Sequence, residues 1–126
     1  MARSFTLTAM VAVLLSGCGK SEPIVSGGKP AAYWVKASKD PNVSLRKQAV
    51  IKLGNIGTAD EAALPALMEA LRDREAAVRK EAILALLKCG PVARQALAPL
   101  NELRLRDPDP DVRAYAAKAT KKLDKI

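Results

Sequence analysis

The sequence predicts an all-α fold, a short α-solenoid of three helical hairpins, and three observations carry that expectation. A phrase that starts on aspartate returns three times: "DPNVSLRKQAVIKLGNIG" from Asp40, "DREAAVRKEAILALLKCG" from Asp73 and "DPDPDVRAYAAKATKKL" from Asp107, at spacings of 33 and 34 residues. Between the copies lie two further apolar segments, "EAALPALMEALR" (61–72) and "RQALAPLNELRLR" (94–106), in which Pro65 and Pro99 each stand eight residues before an aspartate. Ala and Leu dominate the apolar residues and only 3% of the chain is aromatic, a wording that favours helices over strands. Two helical segments recurring at one period are the pattern of stacked hairpins, each burying its apolar face against its neighbours.

The chain begins differently. "MARSFTLTAMVAVLLSGC" has one basic residue near its start and an apolar stretch from Phe5 to Leu15, followed by Ser16, Gly17 and Cys18. That stretch falls short of the ~20 residues a bilayer span wants and suits the core of a secretion signal. Leu15, Ser16, Gly17 and Cys18 resemble the lipobox of bacterial lipoproteins. The resemblance implies a lipid on the Cys18 sulfur and cleavage of residues 1–17, leaving Cys18 as the first mature residue. Small residues at 16 and 17 let an extended chain through a protease site, and a thiol is the nucleophile that accepts lipid. Residues 18–29 then read as the lipidated cysteine and a Gly- and Ser-rich tether, and 30–126 as the folded domain, with repeats of about 30–57, 58–90 and 91–126.

Within the domain, local chemistry places the helix ends. Asp40–Pro41 and Asp109–Pro110 each read as an N-cap followed by a first-turn proline. Thr58 and Glu61 offer a capping box, and Gly57 and Gly90 suit the turn after a helix. Leu64, Leu67, Met68 and Leu71 make one apolar face, and Val78, Ala82, Ile83, Leu86 and Cys89 another. The first helix, within "KPAAYWVKASK", fits the repeat least well, and Leu97, Leu100 and Leu103 sit one place off the second repeat's register. In the last copy Lys118, Thr120 and Lys121 replace Ile51/Leu84, Leu53/Leu86 and Gly54/Leu87, as a terminal repeat requires when nothing follows.

Counted from each aspartate, position +5 is Leu45, Val78 or Val112, +6 is Arg46, Arg79 or Arg113, and +9 is Ala49, Ala82 or Ala116. These residues resemble the HEAT-repeat family, in particular the short bacterial HEAT-like repeats of the phycobilisome-lyase type. The resemblance implies that Asp40, Arg46, Asp73, Arg79, Asp107 and Arg113 form a ladder running from repeat to repeat, with the proline bending each first helix. A side chain recurring at the repeat period is explained by such a ladder without a phosphate ligand.

Catalytic chemistry is poorly supplied. The chain has no histidine, which removes the commonest general base and metal ligand. Cys89 stands where Ile56 and Leu123 stand in the other repeats, so it reads as a core residue. "DPDPD" lacks the glycine and distal glutamate of a calcium loop, and "SGGK" lacks the strand and helix of a phosphate loop. No enzyme activity, metal or cofactor is expected, apart from covalent lipid on Cys18.

The formal net charge is +8. Residues 18–57 carry seven basic and two acidic side chains, so most of the excess lies toward the N-terminal end. Lys47, Lys80, Lys88, Lys118, Lys121 and Lys122 avoid the apolar positions of the second helices and could form a basic strip for a partner, or a solvated face. Together these features point to a lipoprotein of the cell envelope, on the periplasmic face and at the outer membrane where two membranes exist, since no aspartate follows Cys18. Its expected role is to bind an unidentified protein, with no nucleic acid. Two other readings stay open: anionic lipid or nucleic-acid binding by the basic face, and a lyase-like or chromophore-handling enzyme.

Overall fold

The computed structural model describes residues 25–126; Leu15, Ser16, Gly17 and Cys18 lie outside the described residues. From Ala31 onward the chain forms three helical hairpins. These are α1 (Ala31–Ala37) with α2 (Val43–Ile56), α3 (Ala63–Ala70) with α4 (Ala76–Lys88), and α5 (Leu97–Arg106) with α6 (Pro110–Asp124). The second helices pack directly on one another, α2 on α4 and α4 on α6, whereas the first helices stand further apart. That difference in spacing curves the stack, with the second helices on its inner side.

The tightest approach lies between α2 and α4. Gly54 has no side chain at its point of contact, and a Cβ there would stand 2.7 Å from the Ala85 Cβ and 3.0 Å from its Cα. Only glycine in α2 lets the two backbones come this close. One continuous core runs through all three hairpins, with Leu53, Leu67, Ile83, Leu86, Leu100 and Leu123 fully buried. Cys89 belongs to it, and burial pushes its thiol pKa up.

The junction before each second helix differs from the expectation in one respect. Asp40 does not cap α2. Its Oδ1 instead accepts from the Asn42 backbone N–H at 2.8 Å, closing an Asx turn across Pro41, and the cap is Asn42, which accepts from Leu45 N–H. The Asx turn itself places the cap two residues on, since the same turn sets the cap at Glu75 in repeat two, where Arg74 replaces the proline. Asp73 and Asp107 close the same turn, onto the N–H groups of Glu75 and Asp109. Asp109 caps α6 as expected, with Pro110 in its first turn. The Val112 N–H foremost, and the Asp111 N–H, hold its carboxyl below the usual carboxylate range.

The links after the second helices also depart from expectation. Gly57 and Gly90 have positive φ of 54° and 70°, backbone conformations that glycine adopts readily. Thr58 and Glu61 form no capping box, because Gly57–Ala59 winds as a 3₁₀ turn and Asp60 accepts from the Ala62 N–H ahead of α3. The longer link Gly90–Ala96 is 3₁₀ as well.

At the N-terminal end part of the expected tether is folded onto the first repeat. Val25–Ser26 (β1) pairs antiparallel with Lys29–Pro30 (β2) across Gly27 and Gly28, whose φ of 58° and 72° suit a tight two-residue hairpin. Trp34 fixes this hairpin to the first repeat, donating from Nε1 to the Ser26 carbonyl at 2.8 Å. Gly27 lies over the Lys52 side chain. Lys52 holds the position in α2 that Ala85 holds in α4, so the hairpin covers the place a preceding repeat would fill. Trp34→Phe is expected to keep most of the packing and lose this hydrogen bond, costing about 1 kcal/mol. The exposed hairpin amides should then exchange faster with solvent; unchanged exchange at Ser26 and Lys29 would contradict the clasp.

At the other end, Lys118 and Lys121 are exposed as a terminal repeat requires. Thr120 is not: it is buried, with its hydroxyl donating to the Ala117 carbonyl at 3.0 Å. Its counterparts Leu53 and Leu86 are buried in the core, so this position faces the inside of the repeat. Leu84, counted as a contact replaced by Lys118, is itself exposed, and Ile51 is half-buried, so that row meets solvent in each repeat.

Candidate functional site

The arginines at +6 all extend from the start of a second helix toward the following repeat. Arg46 donates from Nε and Nη2 to both carboxylate oxygens of Asp73, at 2.9 and 3.2 Å, and from Nη1 to the carbonyls of Asp40 and Pro41. Arg79 repeats the arrangement one hairpin on, with Nε and Nη2 on Asp107 at 2.8 and 3.0 Å and Nη1 on the Asp73 carbonyl. The side chain of Asp107 is only 3% exposed and that of Asp73 9%. Each rung therefore uses one edge of a guanidinium to grip a carboxylate in the next repeat and its remaining nitrogen to tie down the turn of its own.

Spacing alone could not assign these partners. The six-residue spacing puts one aspartate and one arginine in each repeat without saying which aspartate each arginine takes: Arg46 takes the side chain of Asp73 and only the backbone of Asp40. The missed elements are the backbone carbonyls of the turn, whose role follows from the Asx geometry and leaves no mark in residue type.

Among the described residues the ladder is open at both ends. Arg113 donates from Nη1 to the Asp107 carbonyl at 2.6 Å, while its Nε and Nη2 have no partner among the described residues. Asp40 closes its Asx turn but receives no arginine among the described residues.

The six lysines do not behave as one strip. Lys47, Lys118 and Lys122 are exposed on the second helices. Lys88 donates to the Asn55 side chain at 3.2 Å, and Lys80 lies 3.9 Å from the Asp111 carboxylate, so two of the six are engaged between repeats. Lys121 is exposed in the last turn of α6. The inner face is thus a mixed surface, with Glu81 and Asp111 among the lysines.

Two grooves follow the ladder on the side of the first helices. One, of about 430 Å³, lies between repeats one and two and is lined by Lys39, Asp40, Glu69, Asp73 and Arg74 around Arg46. The other, of about 370 Å³, lies between repeats two and three around Arg79 and Asp107. Both are floored by arginines already held in ion pairs. No group of three metal-ligating side chains converges among the described residues; Asp107, Asp109 and Asp111 of "DPDPD" are spent on the ladder, a helix cap and the Lys80 pair. None of the helices among the described residues is long and apolar enough to cross a membrane.

No curated protein matches the chain. The family model for HEAT repeats, however, matches residues 31–121, the span of all three hairpins and their ladder. The chain therefore belongs to the HEAT-repeat family.

Proposed function

We propose that the chain is a bacterial lipoprotein that holds its three-repeat stack at an envelope membrane as a non-catalytic module for binding another protein. The observation that carries this reading is the commitment of Arg46 and Arg79 to Asp73 and Asp107. With the most reactive-looking row of side chains used to join repeats, the chemistry left over is that of a surface. Repeats of this family commonly mediate protein–protein interaction, which supports it. Cys18 carries the lipid and residues 1–17 are its signal. Two or three acyl chains, at ~0.8 kcal/mol per buried CH₂, hold a protein stably where one does not. The hairpin of Val25–Ser26 with Lys29–Pro30 takes up part of the expected leash of residues 18–29 and shortens its reach. The stack is thus presented close to the bilayer, on the periplasmic face and at the outer membrane where two membranes exist.

The test is Cys18→Ala in the full chain, expressed in a bacterial host fed labelled palmitate. Loss of label and release from the membrane fraction are expected. A variant that still fractionates with membranes and still takes up label would overturn the anchor.

A second reading has one observation in its favour. The exposed Lys47, Lys118 and Lys122 could meet anionic headgroups, each basic residue near such a surface contributing ~1 kcal/mol. Tight, salt-sensitive binding of the full-length Cys18→Ala chain to phosphatidylglycerol vesicles would favour it over a protein partner.

A further inference from the structure

We infer that the C-terminal end of the stack is a docking site for an acidic turn of the partner protein, with the unfilled edge of Arg113 as its anchor. The inference rests on the interaction-module reading and names where on the module the partner sits and by what chemistry.

The two closed junctions give the template. At each, the Nε–Nη2 edge of an arginine meets an aspartate that closes an Asx turn at the head of a second helix. Arg113 is held for the same task. Its Nη1 is fixed on the Asp107 carbonyl, as the Nη1 of Arg79 is fixed on that of Asp73, and its Nε and Nη2 are left with no partner among the described residues. A guanidinium already oriented by one hydrogen bond loses little freedom on gripping a carboxylate.

The surroundings are those of an unfinished junction. Pro99, Leu103 and Arg106 line the groove toward repeat two. At 3.6 residues per turn Leu105 lies across α5 from them, toward the open end. It is 65% exposed, the most of any large apolar side chain among the described residues. On α6 the matching side carries Ala117, which is partly exposed, where Val50 and Ile83 of the first two repeats are fully buried.

A second copy of the chain is a poor occupant. Stacked head to tail, it would bring Lys121 onto Lys52, since these stand where Gly54 and Ala85 meet in the internal junction, and Lys52 already lies under the hairpin. Like charges and an occupied position both oppose that contact. The same Lys121, about two turns along α6 from Arg113 and on a chain of net charge +8, favours a partner segment with more than one carboxylate.

The test uses the full chain with its arginines labelled with ¹⁵N and, as probe, the acetylated and amidated heptapeptide Arg-Asp-Pro-Asp-Pro-Asp-Val. The probe copies residues 106–112, the segment Arg79 grips internally. Expected is a saturable shift of the Arg113 Nε–Hε resonance, with affinity about tenfold or more weaker for the peptide bearing the Asp107→Asn change. An Arg113→Lys chain, which keeps the charge and loses the fork, should bind the unaltered peptide about tenfold or more weaker than the parent chain does, as read by titration calorimetry. An unmoved Arg113 resonance, equal affinity for the two peptides, or undiminished affinity of the lysine variant would overturn the inference. Such a failure leaves the module reading intact, because partner capture at the inner face is measured separately at Leu84.

Discussion

Arg79→Ala is expected to destabilise the protein more than any other single truncation in the ladder, by about 3–5 kcal/mol. The cost comes from what is left behind. Asp107 has the most buried carboxylate of the two pairs, and without Arg79 it keeps only the Asp109 N–H on one oxygen. The Asp73 carbonyl loses its donor as well. At roughly 4–8 °C per kcal/mol for a domain of this size, the thermal midpoint should fall by more than about 12 °C. Lys88→Ala, which removes one exposed hydrogen bond to Asn55, should stay within about 0.5 kcal/mol of the parent. Arg113→Ala is the sharper control. It holds the same repeat position but no carboxylate, so its loss should resemble Lys88→Ala rather than Arg79→Ala. Equal melting shifts for Arg79→Ala and Lys88→Ala would sink the ladder as the source of cohesion between repeats.

The second large effect is expected at Gly54. On helix propensity alone Gly54→Ala should stabilise α2 by about 1 kcal/mol. The added methyl would, however, meet the Cβ and Cα of Ala85 at 2.7 and 3.0 Å, and the Cα belongs to a backbone that cannot swing aside. Parting α2 from α4 disturbs the centre of the stack, so overpacking should win and the net change be a loss of about 1–3 kcal/mol. Gly54→Val should cost more, since it adds bulk and β-branching without the propensity gain. Removing the opposing methyl tests the cause: Ala85→Gly in the Gly54→Ala background should recover part of the loss beyond what additivity allows, as read from denaturant midpoints. A stabilised Gly54→Ala chain would show that the two helices are free to separate.

Much of this architecture is legible in the sequence because solenoids repeat. Three aspartates, three arginines six residues on, and two glycines at the helix stops carry the helical hairpins and their order. Other features fall outside what residue types convey. Thr58 and Glu61 have the right spacing for a capping box, yet the tight link after Gly57 winds as a 3₁₀ turn and passes the start of α3 to Asp60. The hairpin at Gly27–Gly28 has strands of two residues each, too short for any alternation, and it holds because Trp34 reaches back to Ser26. Thr120 reads as polar surface until the hairpin places it inside, with its hydroxyl satisfied by the helix itself. The choice of rung partner belongs to the third dimension alone: Arg46 and Asp73 are 27 residues apart, and only the stacking of one turn over the next brings them together.

What the stack does with its surface depends on where it is held and what it touches, and one measurement addresses both. A photo-crosslinking residue placed in the full chain at Leu84 on the inner face, or at Leu105 on the open end, reports contacts in the native host. Expected are discrete protein adducts from at least one of these positions, found in the membrane fraction and lost when Cys18 is replaced by alanine. No adduct at either position, or the same adducts from a soluble Cys18→Ala chain, would contradict a lipid-anchored interaction module.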